Sequence, residues 1–295
     1  MTTAPPEIFD SQRVRRHRER SGPQFENFDF LHRRVMEDIV DRLESIKRTF
    51  PVAVFDGAGD PTPMRSPKTG TRTIITLDSA VSRLPARESQ PSLRALSHAD
   101  HVPFANGSLD LFVSVLRLHH VNDLVGALMQ ARAALKPDGL FIAALFGEKT
   151  LCNLRACLYE AETEIKGGVA PRISPFATIQ DLGGLLSKAG FALPVADIDH
   201  VRVDYPNPLS LLQDLRGMGE TSALKMKAPA LCKKTLARTM DLFADKFGYE
   251  QFDIVYLTGW SPHESQQKPL KPGSAKHSLE NSVLRTRAQT DNTEV

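Results

Sequence analysis

The sequence predicts an α/β protein in which a largely parallel sheet carries helices on both faces. Three observations support this. Residues 103–147 read as strand, helix, strand. Apolar strand-like runs alternate with helically spaced segments along most of the remaining chain. And 295 residues, 41% hydrophobic and 24% charged, suffice for one substantial core. Within the first of these, Leu109 to Val115 is a short apolar run without helical spacing, as expected of a strand buried on both faces. Asn122 or Asp123 can cap the helix that follows, whose Leu124, Leu128, Ala131 and Leu135 form one apolar face. Lys136-Pro137-Asp138-Gly139 ends that helix, and Leu140 to Phe146 is a second buried strand. Open sheets bind ligands beyond the carboxyl ends of their strands, which points to residues 117–122 and 146–149.

The other elements follow in order. Ile8 to Arg20 reads as a short basic helix packing through Ile8, Phe9 and Val14, or alternatively as a flap over a ligand. Asn27 to Phe50 is an amphipathic helix with Leu31, Val35, Ile39, Leu43 and Ile46 on one stripe. Pro51 to Gly59 is a strand running into a glycine turn. Prolines 61, 63 and 67 with Gly70 then leave the first crossover helix absent or about one turn long. Thr73 to Leu77 is the second strand, ended by Asp78, and Leu93 to Leu96 a weak third. Helices are predicted over Lys149 to Ile165, Thr178 to Ala189 and Ala228 to Phe247. One or two strands fall in Phe191 to Tyr205, and the last strand is Phe252 to Trp260. Pro206 to Glu220 reads as a loop and short helix, in which Gly217 and Gly219 make a mobile turn. The chain therefore divides into a helical cap (1–50), a main domain (51–260) with insertions around 148–176 and 205–250, and a polar, aperiodic tail (261–295) expected to be disordered.

Composition excludes several classes. A formal charge of +2 gives no case for nucleic acid, and no run of some twenty apolar residues exists to span a bilayer. Cys152, Cys157 and Cys232 show neither zinc-site spacing nor disulfide density, which fits a reducing interior. The arginines at 13, 15, 16, 18 and 20 precede no apolar segment, so no secretory signal is read, and Glu7, Asp10 and Glu19 speak against a transit peptide. Two spots suit a nucleoside ligand. Gly57 and Gly59 allow close backbone approach, and an acid placed like Asp78 can accept both ribose hydroxyls; the alternative role of Asp78 is to cap a helix around Ser79 to Leu84.

The run PF, LDL, LHHVNDL, LKPDG and LFG resembles the central motifs of class I S-adenosylmethionine-dependent methyltransferases. IFD, FDFLHRRV, CLYEAETE, GGVAPRISPF, RGMGET and YLTGWSPHESQ narrow this to a resemblance, over Ile8 to Gln267, with the complex I assembly factor 5 (arginine hydroxylase) family. The biotin-synthesis malonyl-carrier-protein methyltransferases are relatives of that family. The resemblance implies a Rossmann-like methyltransferase sheet with a degenerate first crossover helix. It implies S-adenosylmethionine as cofactor, held by Gly57, Gly59, Asp78, Ser79, Asp100 and Leu116. The chain departs from the family pattern at Phe55, where an acid is usual, at Pro61, in place of a third glycine, and at His98, in place of an aspartate for which Asp100 substitutes. A protein client, a peripheral subunit of respiratory complex I, is implied, to be gripped by Arg172 and Arg216 on two loops; changing both arginines to alanine should leave the melting temperature nearly unchanged. The implied location is the cytoplasm, or the mitochondrial matrix in a eukaryote, with peripheral contact at the inner membrane.

Three functions follow. The leading one is a methyltransferase-family protein of complex I assembly, in which catalysis is mostly positioning and no catalytic residue is assigned. The others are an arginine hydroxylase and a non-catalytic assembly chaperone. No metal site is assigned. His98, His101 and His119 can be drawn around one ion with Asp100, but His119 and His120, being adjacent, are expected to point apart.

Overall fold

The computed structural model describes residues 7–57, 59–85 and 93–267. Most of the expected tail, residues 268–295, lies outside these, and the fold is that of the unit Met1–Pro262.

Among the described residues seven strands form one sheet: β1 (Val52–Gly57), β2 (Thr73–Asp78), β3 (Leu93–Leu96), β4 (Leu109–Val115), β5 (Leu135–Phe146), β6 (Ala192–Asp204) and β7 (Tyr249–Trp260). Their spatial order is β3-β2-β1-β4-β5-β7-β6. The first five pair in parallel, and β7 runs antiparallel between β5 and β6. The order reverses between β1 and β4, which opens a crevice at their carboxyl ends.

Among the described residues seven helices accompany the sheet: α1 (Ser11–Ser21), α2 (Phe30–Ser45), α3 (Leu124–Ala134), α4 (Cys152–Lys166), α5 (Ile179–Lys188), α6 (Pro208–Met218) and α7 (Lys233–Lys246). Alternate strand residues serve opposite faces. Phe55, Val113, Ile142 and Tyr256 bury against Leu31, Ile39, Leu154, Ala161 and Phe243 of α2, α4 and α7. Val54, Phe112, Phe141 and Val255 bury against Leu128, Ala131, Leu182 and Leu186 of α3 and α5. The expected loss of the first crossover helix holds: between β1 and β2 the described chain has only a single 3-10 turn, Thr62–Met64.

Several boundaries differ from expectation for local reasons. Residues 22–27 form a 3-10 segment, and α2 stops at Ser45, where Ile46 leaves helical backbone for φ −84° and ψ 123°. Asp123, not Asn122, caps α3, its carboxylate accepting from Gly126 N at 2.8 Å. Asn122 instead accepts from Ile8 N and Phe9 N and donates to Phe9 O, which pins the cap segment over the sheet. Lys136–Gly139 does not separate helix from strand: β5 begins at Leu135, with Asp138 at φ +64° taking the kink. Gly217 lies inside α6 rather than in a mobile turn. It packs so closely on Phe28 that an added Cβ would fall 2.2 Å from the ring.

One core residue carries a pH signature. His32 of α2 is buried edge-on to Phe25, both ring nitrogens lack a hydrogen-bond partner, and burial, reinforced by Arg83 and Arg18, pushes its pKa down to about 3. Folded His32 therefore stays neutral at pH values where the unfolded chain, with a pKa of about 6.5, takes up a proton. The unfolded state binds more protons, so stability falls as pH drops from about 6.5 toward about 3. His32→Leu should remove about 2 kcal/mol of the stability lost between roughly pH 7 and roughly pH 5, measured by urea denaturation at both. An unchanged difference would show that His32 protonates in the folded chain.

Candidate functional site

The crevice at the carboxyl edge of β1, β2 and β4 is closed by the protein's own side chains. Asp78 ends β2 with no solvent exposure, and both its oxygens are taken by the Arg18 guanidinium of α1, at 3.1 and 2.6 Å. Asp56 of β1 pairs with Arg117 at 2.6 Å and accepts from Ser114 Oγ at 3.0 Å. Arg117 reaches back because Leu116 turns the chain out of β4 at φ +47°, an uncommon conformation for a residue with a side chain. Arg83 stacks on Phe25 at 3.7 Å and donates to Ser21 Oγ and Met218 O, locking α1 against α6. Burial and the Arg18 charge push Arg83 down to about 9, so it remains protonated at neutral pH. Burial alone would raise the Asp78 carboxyl, but Arg18 and Arg117 outweigh it and hold the group well below the usual carboxylate range.

The six residues expected to hold a nucleoside cofactor therefore lie around a filled space. Asp78 is engaged as described, and its Oδ1 also accepts from Ala80 N at 2.9 Å; the helix expected around Ser79 to Leu84 is only the 3-10 turn Val81–Arg83, which has no side-chain cap. Ser79 Oγ is buried without a partner, Leu116 is buried at the crevice lip, and Asp100 borders a gap shared with Arg18, His98, Arg117 and His120. That gap measures about 20 Å³, room for one water molecule rather than a nucleoside. Gly57 and Gly59 adopt φ +148° and +115°, and a Cβ on Gly57 would meet Val115 O at 2.7 Å. No helix amino terminus follows them to receive a carboxylate. A polar depression of about 780 Å³ borders Gly59 and Ser82 on the outside of the cap, but it does not reach Asp78. S-adenosylmethionine does not fit this crevice while α1 is seated. The basic helix over residues 8–20 is thus neither a plain solvated face nor a loose flap, because one of its arginines fills the site.

Next to the closed crevice lies an open cavity of about 580 Å³. It is walled by Phe146, by Leu154 and Leu158 of α4, by the loop 172–176, by α6, by Leu236 and Met240 of α7 and by Phe252, so the lining is mostly apolar. Most of this wall comes from two stretches of chain, 150–176 and 209–240. Glu220 and His120 stand at its inner end, and His120 also borders the crevice gap. His119 Nε2 lies 2.9 Å from Glu220 Oε2 and His120 Nδ1 lies 3.8 Å from it, with imidazole ring centres 4.3 Å apart. The expectation that these histidines point apart is corrected: the 3-10 turn Leu118–His120 brings both to one carboxylate. Burial drives His120 down to about 3, whereas for Glu220 the neighbouring His119 and His120 overcome burial and lower its pKa.

Two further expectations need correction. His98, His101 and Asp100 do not gather with His119; among the described residues the one group able to share an ion is His119, His120 and Glu220. Arg172 is not free to grip a client. Its guanidinium donates to Glu162 Oε1 at 3.0 and 2.6 Å and to Pro229 O at 2.9 Å. Arg216 is exposed at the cavity wall. The sequence placed Arg117 in a ligand-facing stretch without giving it a role, and neither Arg18 nor Glu220 was assigned to a site. A signal for Arg18 existed, since Val14, Arg18 and Ser21 share one helix face, and an arginine within a packing stripe needs a buried partner.

The strand order, the reversed β7 and the crevice at the β1/β4 switch define a class I methyltransferase fold. Solved structures agree on the fold. The YcgJ protein of Bacillus subtilis superposes with a TM-score of 0.53 at 12% identity, over 79% of this chain and 100% of that one. A phosphoethanolamine N-methyltransferase 2 of Haemonchus contortus, in complex with S-adenosylhomocysteine, gives 0.52 at 12% identity over 85% and 61%. A methyltransferase-domain family profile matches residues 57–143. "Arginine-hydroxylase NDUFAF5, mitochondrial" of Danio rerio is 36% identical over 283 residues, covering 92% of this chain and 88% of its own. The Homo sapiens protein of the same name is 37% identical over 279 residues, covering 91% and 81%. A malonyl-[acyl-carrier protein] O-methyltransferase of Methylovorus is 26% identical over 88% and 92%. The chain belongs to the NDUFAF5 family within the class I methyltransferase superfamily.

Proposed function

We propose that this methyltransferase-family protein acts in respiratory complex I assembly, on an arginine of a protein client admitted to the cavity beside Glu220. The observation that carries this is the pairing of a closed cofactor crevice with an open, insertion-built cavity that has a buried carboxylate at its end. An apolar channel ending in Glu220 suits an arginine side chain, whose methylenes pack on Phe146 and Leu154 while the guanidinium meets the carboxylate. The names of the relatives at 36–37% identity support arginine as the target.

Two reactions divide the family. The 26% relative is named for methyl transfer, which in this chain would require α1 to leave the crevice. The NDUFAF5 relatives are named for hydroxylation, and Arg18 seated on Asp78 favours that second reading. No helix of the described chain is long and apolar enough to cross a membrane, and the proposed place of work is the compartment where the peripheral complex I subunits assemble: the cytoplasm of a bacterium or the mitochondrial matrix.

The test compares peripheral complex I subunits from cells with and without this protein by peptide mass spectrometry. One arginine peptide should gain the mass of one oxygen only when the protein is present. A gain of one methylene would reverse the choice of reaction, and identical peptides in both strains would leave the chaperone role.

A further inference from the structure

The three side chains at the inner end of the cavity have the composition of a metal site. Two imidazoles and one carboxylate are a set that divalent transition metals bind with coordination positions to spare, and it is the usual set for non-haem iron(II). His119 Nε2, His120 Nδ1 and Glu220 Oε2 form the two measured contacts of 2.9 and 3.8 Å, and all candidate ligand atoms lie within 4.8 Å of one another. Ligands about 2.1 Å from an ion and at right angles are about 3 Å apart; the His119–Glu220 pair at 2.9 Å has this spacing, and His120 would have to close on Glu220 from 3.8 Å.

The residues are held for this by their surroundings. The side chains of His119, His120 and Glu220 are 1%, 8% and 5% exposed. Phe146 and Phe176 pack on the His119 ring and Phe9 on His120. Glu220 is fixed by the end of α6, where Gly219 at φ +84° closes the helix and Glu220 N donates to Leu215 O at 2.8 Å. The nearby arginines are engaged elsewhere, Arg18 with Asp78 and Arg117 with Asp56, so the ion pairs of Glu220 are with the histidines alone among the described residues.

We infer that His119, His120 and Glu220 bind one divalent transition-metal ion, iron(II) by ligand type, with its open positions facing the cavity. This goes beyond the functional reading, because metal uptake is measured on the purified chain without any client. Its failure and the failure of the arginine reading are separate results.

The test is anaerobic titration of the purified full chain with iron(II) and with cobalt(II), followed by calorimetry and, for cobalt, by visible absorption. One equivalent should bind. His119→Asn and Glu220→Gln should each weaken binding roughly hundredfold or more, while His98→Ala and His101→Ala leave it unchanged. Trace uptake by the unaltered chain, or uptake unaffected by both ligand substitutions, would overturn the site and leave a structural histidine–glutamate pair. Should either variant fail to fold, proton spectra of the cobalt-loaded unaltered chain decide: shifted imidazole N–H signals from two histidines support the site, and their absence overturns it.

Discussion

Arg18→Ala is expected to lower the free energy of unfolding by about 3–5 kcal/mol, the range for stripping one partner from a buried ion pair. The substitution removes both hydrogen bonds to Asp78 and leaves a carboxylate with no solvent exposure and only Ala80 N and the more distant Arg117 to stabilise it. Much of the loss should return in Arg18→Ala with Asp78→Asn, which removes the orphaned charge. Arg18→Lys should fall between, because an ammonium cannot span both oxygens as the guanidinium does. The folded-state pKa of Asp78 is depressed, so its share of stability is present above the ordinary carboxylate range and disappears only as pH falls through the lowered value. Urea denaturation near neutral pH measures the effect, and a loss below about 1 kcal/mol would mean that α1 is already lifted in solution. The same variant frees the Asp78 oxygens, so S-adenosylmethionine should bind it more tightly than it binds the unaltered protein.

Arg172→Ala should cost about 2–4 kcal/mol, against less than about 0.5 kcal/mol for Arg216→Ala. Arg172 holds Glu162, a carboxylate whose side chain is 1% exposed, by two hydrogen bonds, and it ties the loop to Pro229 O. Glu162 in turn accepts from Ala170 N at 3.0 Å, so losing the arginine loosens the cavity wall from α4 to the loop at 229. Thermal melts of the two single variants separate the roles: a marked drop for Arg172→Ala, and for Arg216→Ala a normal melt with weakened client capture. Equal melts would return Arg172 to the surface contact that its loop position suggested.

The sequence by itself determined the sheet and its helices. Leu109–Val115 is a strand and Leu124–Ala134 a helix, as their length, flanking turn residues and apolar spacing indicated, and the prolines after Gly59 ruled out the first crossover helix. Motif wording placed Asp78 at the crevice and the insertions over its neighbour. Only the tertiary structure decided what occupies these places. Arg18 lies sixty residues from Asp78, Glu220 about a hundred from His119, and Arg172 bonds a helix two turns behind its own loop. No local pattern encodes such pairings, since a charged side chain looks the same in sequence whether it faces water or another charge. Burial makes the difference: once packing excludes water, each of these groups must find its partner across the fold, and those partnerships closed one site and shaped the other.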